Sequence, residues 1–352
     1  AAKPTEDELK AILDKYYTAD SLTDPNTKEK VDPANVTGDI QLPRYTRIKD
    51  ENNKDVFANK EITVTTDKED ILKINGYRAA VDRFASQSEK ETVNLIVTFT
   101  RDGVTVSKKI PLTVSMITDK ELDKELAMME KAKEHYFDGI NDGKYADKDS
   151  ITGNLHAFCE MSLDEQGNPV WAYNVDDKTG TGIIPDDYQD GSLGQTGWPY
   201  NRFKSSNNAI VTHENLLVTR PENSTQITIS SLLSSEKYGK FAKDHPNNEK
   251  LQKLYKQEVS VTVTVKGTKA SAEALLAEIE SAQKLYDSMV EGTQPGEYQK
   301  GAKAALAEAI ARAQAVADDK DATEAQQDAA IADLQQAVKD AKALQNAKEA
   351  SV

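Results

Sequence analysis

One order of features occurs twice in the first two thirds of this chain, and it restricts the fold to tandem modules. Each copy opens with Thr-x-x-Glu, Thr5 to Glu8 and Thr118 to Glu121. At that spacing a hydroxyl and a carboxylate satisfy the free N–H groups of a helix start. An amphipathic helix follows, with Leu9, Ile12, Leu13 and Tyr16 in the first copy. In the second it carries Leu122, Leu126, Met129, Ala132 and Tyr136, with Gly139 placed to cap its end. Both copies then cross a polar loop into a short extended stretch, residues 36–42 and 151–156.

The later part of each copy alternates apolar and polar residues, as strands do. In the first copy these are residues 61–66, 92–99 and 109–114, with the turn Arg101-Asp102-Gly103 between the last two. In the second they are residues 202–207, 225–230 and 258–265, where Val259, Val261, Val263 and Val265 stand two apart. Strands separated by turn residues, without alternating helices, predict small antiparallel sandwiches. The second copy also carries insertions, residues 164–200 and 238–255, and these are the first place to look for recognition.

Beyond residue 269 the composition changes. Residues 270–352 hold 24 alanines and two of the 22 aromatics, so this stretch reads as helical and the upstream part as β-rich. Three apolar stripes at 4-3-4-3 spacing run through Leu275 to Met289, Ala302 to Val316 and Ala330 to Leu344. A Gly/Pro turn at 291–296 and an Asp-rich turn at 318–321 separate them, and Thr323 with Gln326 forms a third capping box. Short turns make neighbours antiparallel, which predicts an up-down-up three-helix bundle.

The residues also carry resemblances. The tail resembles a FIVAR module, on Tyr298, Ala302, Leu306, Ala309, Ala313 and Val316, then Leu334, Ala337 and Leu344. The second copy resembles the atrophied bacterial immunoglobulin-like domain of gut Firmicutes surface proteins. The matching words are residues 129–140, Phe203-Lys-Ser-Ser-Asn207, Leu217-Val-Thr-Arg-Pro221 and the closing Val-x-Val-x-Val strand. The first copy looks like a divergent relative of the second, with Thr66-Asp67-Lys68 in place of the usual Trp-Ser-Ser-like word and no Thr-Arg-Pro. The expected fold class is multidomain α+β: two Ig-like antiparallel β-sandwich modules, each with an N-terminal helix, then an all-α three-helix bundle. The expected domains are 1–116, 117–268 and 269–352. The resemblance implies a non-enzymatic extracellular region of a bacterial surface protein, a spacer and adhesion or glycan-binding segment. The alternative is a set of accessory modules of a secreted glycan-active enzyme whose catalytic domain lies elsewhere. The implied partners are host or dietary glycans or an extracellular matrix protein, and the chain is expected to be monomeric and located at the cell surface or secreted. Secretion is an inference from the resemblance, and a chain trimmed to these modules would be expected to start without a signal peptide.

Charge and motifs narrow the chemistry. A formal net charge of -15 argues against nucleic acid, whose phosphates need clustered Lys and Arg. No apolar run reaches the roughly 18–20 residues of a membrane span. One cysteine, Cys159, precludes an internal disulfide framework and reads as a buried residue of a half-buried strand over 155–161. His135, His156, His213 and His245 lack zinc-ligand spacing and read as structural. No nucleotide-binding, hydrolase-elbow or EF-hand motif is present, so no catalytic residue and no cofactor are assigned. Asp164, Asp176, Asp177, Asp186 and Asp187 have the hard oxygens calcium prefers, and equally form a solvated acidic loop. Trp171, Tyr173, Trp198 and Tyr200 are the ligand-binding candidates, because sugars lay their C–H faces on exposed rings. Trp171 and Tyr173, two apart on a strand, alternatively share one face and fill the core.

Overall fold

The computed structural model describes residues 2–163, 166–173, 182–188 and 202–348. It is a mixed α+β structure of small antiparallel sheets and helices. Two compact units divide the chain, Ala1–Leu126 and Ala127–Val352. Among the described residues no helix is long and apolar enough to cross a membrane.

In the first unit, helix α1 (Glu6–Tyr16) starts where the Thr5 hydroxyl accepts from the Glu8 N–H at 3.2 Å. Its first turn holds Glu6, Asp7 and Glu8, charges that suit the positive end of the helix dipole. The short strands β1 (Ile40–Gln41), β2 (Ile48–Lys49) and β3 (Asp55–Val56) and the one-turn helix α2 (Ala58–Glu61) follow. Then come β4 (Ile62–Thr66), β5 (Leu72–Asn75), β6 (Arg78–Val81), β7 (Lys90–Arg101) and β8 (Val104–Ser115). The sheets run β4-β7-β8, β1-β6-β5 and β2-β3. Period two decides which side chains go inside. Val93, Leu95, Val97 and Phe99 of β7 are buried, while Thr98 and Thr100 bond across the outer face to Ser107 and Thr105. The turn residues Asp102 (φ 49°) and Gly103 (φ 80°) both take left-handed backbone, which matches the twist of a two-residue hairpin. Leu9, Ile12 and Leu13 of α1 join the same core.

The second unit continues from α3 (Asp119–His135), within which the division falls, through α4 (Asp138–Asn141), β9 (Met161–Leu163) and β10 (Pro169–Trp171). Next are β11 (Ile183–Asp186), β12 (Phe203–Ser205), β13 (Thr225–Ser235), α5 (Glu249–Gln252) and β14 (Gln257–Val265). β14 lies along one edge of β13 from Thr225 to Leu233; β12 and β11 share the other edge in succession. Gly139 sits inside α4 and is not the cap of α3. The chain needs glycine there for contact, as α4 packs against the backbone of Phe158.

The two copies share more than their order. Asp32 and Asp147 each turn the chain by accepting, on Oδ1, the N–H two residues on, Ala34 and Asp149, both at 3.0 Å. Val36 and Ile151 then pair in parallel with Val114 and Val265 of the final strand. Three hydrogen bonds recur. Thr113 N–H donates to Pro33 O, Val36 N–H to Thr113 O and Ser115 N–H to Val36 O, at 2.8–3.0 Å. Thr264 to Lys148, Ile151 to Thr264 and Lys266 to Ile151 repeat them at 2.7–2.9 Å. Arg83 Nε donates to Ser115 O at 2.7 Å and Arg220 Nε to Lys266 O at 2.6 Å, so the first copy has its own junction arginine without the Thr-Arg-Pro word.

Helices α6 (Thr268–Ser288), α7 (Ala302–Asp318) and α8 (Glu324–Ala343) each pack on the other two. Leu275, Ile279, Ala282, Ala309, Ala313, Ala330 and Leu334 form their shared core. Thr323 and Gln326 bond reciprocally as a capping box. Tyr298, buried beside Met289 and Leu306, bridges to Glu291 and to Gln345, so the turn before α7 holds the end of α8. Gly267 precedes α6. A Cβ there would lie 2.5 Å from backbone atoms of Glu222, Asn223 and Ser224.

Candidate functional site

The chemistry-bearing residues of the second unit gather where α3 ends. Tyr136 and Phe137 are buried and meet edge to face, ring centres 4.8 Å apart. Residues 155–161 do not form the expected strand. His156–Phe158 is a single tight helical turn, Cys159 is buried, and Glu160 takes left-handed backbone at φ 66°. That conformation is uncommon for a residue with a side chain and costs of order 1 kcal/mol or more, so packing must hold it. It sends the Glu160 carboxyl inward, where the residue is 6% exposed.

The Tyr136 hydroxyl donates to Glu160 Oε1 at 2.7 Å and also lies 2.9 Å from Ser231 Oγ of β13. Ser231 Oγ donates to the Arg202 carbonyl at 3.0 Å. Burial pushes the Glu160 carboxyl above the ordinary range, opposed by the Tyr136 hydrogen bond and the charges of Arg202 and His156. Burial raises Tyr136 and Cys159 too, with the Glu160 charge adding to each. A thiol held neutral in this way is a poor nucleophile, as expected of a structural cysteine.

A hairpin carries the aromatic pair above this network. β9 and β10 pair Met161 with Trp171, and the next N–H, Ala172, donates to Glu160 O at 2.6 Å. Trp171 and Tyr173 stack at 5.8 Å with planes 23° apart, and Tyr173 lies 6.1 Å from the Tyr136 ring. Trp171 is 51% exposed, so it does not fill the core; the alternation within β10 puts Pro169 and Trp171 on the exposed face. Trp198, Tyr200, Asp164, Asp176 and Asp177 lie outside the described residues. Asp186 accepts from Ser234 Oγ and from the Asp187 N–H, both at 2.7 Å, while the Asp187 carbonyl accepts from Lys256 Nζ at 2.6 Å. Among the described residues no three His, Cys, Asp or Glu side chains form a metal-binding group.

The histidines make local contacts. His135 pairs with Asp138 at 2.9 Å, His156 meets Phe203 edge to face, His213 Nδ1 accepts from the Ser205 N–H, and His245 Nδ1 lies 2.8 Å from Phe241 O.

Glu160 was missed at the sequence level, hidden as one carboxylate among many. The one usable signal was its place, between a buried cysteine and a strand start and two dozen residues after an aromatic pair. Its raised pKa has a stability consequence. The folded state holds this proton more tightly than the unfolded chain, so the carboxyl costs stability as pH rises through the unfolded and then the folded value. Below the unfolded value that cost is absent. Glu160→Gln should therefore raise the urea midpoint at neutral pH and converge with wild type near about pH 4; a Gln variant less stable at neutral pH would contradict this.

A scan against protein-family models and a search of curated proteins return no match to this chain.

Proposed function

We propose that this chain is a non-enzymatic, extracellular modular region of a bacterial surface protein that binds glycans through the Trp171/Tyr173 platform. In this reading the two copies are Ig-like sandwiches with leading helices, spanning 1–116 and 117–268. The tail, 269–352, is a FIVAR-like three-helix bundle acting as a spacer. The observation that carries the reading is the half-exposed Trp171, stacked on Tyr173 and fixed from below by the Glu160 network. A ring offered to solvent on a rigid backing presents apolar area at low entropic cost, which suits the C–H face of a pyranose. The acidic surface keeps such a chain dispersed.

Screening the protein on a glycan array, then titrating the best hit by calorimetry, tests this. Trp171→Ala should weaken binding by about 2 kcal/mol, roughly 30-fold, as loss of a central aromatic anchor does. Unchanged affinity in that variant would remove Trp171 from the site, and binding to immobilised matrix protein instead of glycan would reassign the partner.

A further inference from the structure

Three contacts link Glu160, Tyr136, Ser231 and the Arg202 carbonyl. Each needs one proton between its two oxygens. The Tyr136 and Ser231 hydroxyls supply two, and the Arg202 carbonyl supplies none. With Glu160 ionised, one contact is therefore two lone pairs facing each other. With Glu160 protonated all three close in one direction: the carboxyl donates to the Tyr136 oxygen, Tyr136 to Ser231, and Ser231 to Arg202 O. We propose that Glu160 is the positioning residue of the aromatic platform and that uptake of a proton by its carboxyl completes this chain and locks Trp171 and Tyr173 in place.

The geometry connects the proton to the platform by two routes. Through the backbone, Glu160 O accepts the N–H of Ala172, the residue between the two rings. Through side chains, the Tyr136 hydroxyl joins Glu160 while its ring lies against Tyr173. The left-handed backbone at Glu160 fixes both routes at one residue. Among the described residues, the groups facing the carboxyl come from five places in the chain. Tyr136 follows α3, and His156 and Cys159 come from the turn before it. Arg202 precedes β12, Ser231 belongs to β13, and Tyr173 follows β10. Burial opposes the anion more strongly than the Tyr136 hydrogen bond, Arg202 and His156 favour it, so the carboxyl changes state at a higher pH than an exposed one. Platform order accordingly increases as pH falls.

This inference names the regulation of the site proposed above and rests on that reading only for its biological meaning, because its test needs no glycan. In a Trp198→Phe background, Trp171 is the chain's single tryptophan. Acrylamide quenching of its emission, measured from about pH 4 to about pH 8, reads how well the ring is held. Quenching should increase with pH in a single-proton step, by about twofold, the mark of a modest local opening. Glu160→Gln, whose amide donates to Tyr136 as the acid does, should keep the low-quenching state across the whole range. Tyr136→Phe, which breaks the chain but keeps the ring, should quench strongly at every pH. A Gln variant that retains the wild-type step, or a step of opposite sign, overturns the proposal. A flat wild-type profile overturns it as well. If the quenching behaves as expected while no glycan binds at any pH, the gate stands and the ligand class falls.

Discussion

Gly139→Ala is expected to unfold the β part of the second unit under conditions where wild type is stable. A Cβ at this position would lie 2.2 Å from the Phe158 carbonyl oxygen, with Tyr145 Cδ2 at 3.0 Å and Met161 Cβ at 3.2 Å. The nearest atom is backbone and has no rotamer to retreat into. Neither can α4 slide away, because the Tyr145 and Ala146 N–H groups both donate to the Gly139 carbonyl, at 3.0 and 3.1 Å. The Tyr145 hydroxyl also donates to Ser162 O of β9. The methyl group must therefore push apart the two segments that position Tyr136 and Glu160. A destabilisation of about 3 kcal/mol, the upper end for overpacking a buried contact, is expected in urea denaturation followed by circular dichroism. Gly153→Ala is the matched control. Nothing lies within 4 Å of a Cβ there, and a change under about 0.5 kcal/mol is expected. Equal effects of the two substitutions would show that the Phe158 contact does not limit packing.

Arg220→Ala should release the three C-terminal helices from the β part of their unit. The guanidinium donates from Nε to Lys266 O at 2.6 Å and from Nη2 to Gly267 O at 3.2 Å, and it pairs with Glu324 at the start of α8. Asp328, one turn on, is 4.0 Å away and is also approached by Lys266 Nζ at 3.6 Å. The Arg220 side chain is only 9% exposed, and its loss strands two carbonyls and a carboxylate that is itself largely covered. Breaking such a buried pair costs about 3 kcal/mol, less whatever water recovers at the half-exposed Asp328. Calorimetry should then resolve two transitions in the variant for this unit, against a single one expected for wild type. Arg220→Lys should behave nearly like Ala, since an ammonium cannot reach the carbonyls and the carboxylate together. A single unshifted transition in Arg220→Ala would mean the helices are held by other contacts.

What could be read from sequence was what is local. Thr323 and Gln326 bond to each other three residues apart, and Asp102-Gly103 turns within two, so their signatures survive any tertiary context. The alternation of Val93, Leu95, Val97 and Phe99 was legible because one face of β7 meets a continuous core. The site was not legible in this way. Tyr136 and Ser231 are 95 positions apart, and only the fold brings their hydroxyls together. Glu160 takes left-handed backbone without being Gly, Asn or Asp, the residues that advertise it. Trp171 obeys the alternation of β10, but which of the two faces is solvent-exposed is decided by what packs on the hairpin, and the spacing of two residues does not tell that. Arg83 escaped notice as the counterpart of Arg220 since the two share a hydrogen bond to the end of a strand and no surrounding word.

The parallel pairing of Val36 with Val114 and of Ile151 with Val265 bears on how the chain answers a pulling force. In each copy the entering segment and the departing strand point the same way and share three hydrogen bonds. Tension applied at the two ends of a copy drags these segments past each other along their length. The bonds lie across that direction, so they carry the load together and give way together. An antiparallel hairpin pulled from its open end parts one bond at a time. Once the leading helix has been drawn off, the short contact after Asp32 or Asp147 is the mechanical clamp for all that lies between it and the final strand.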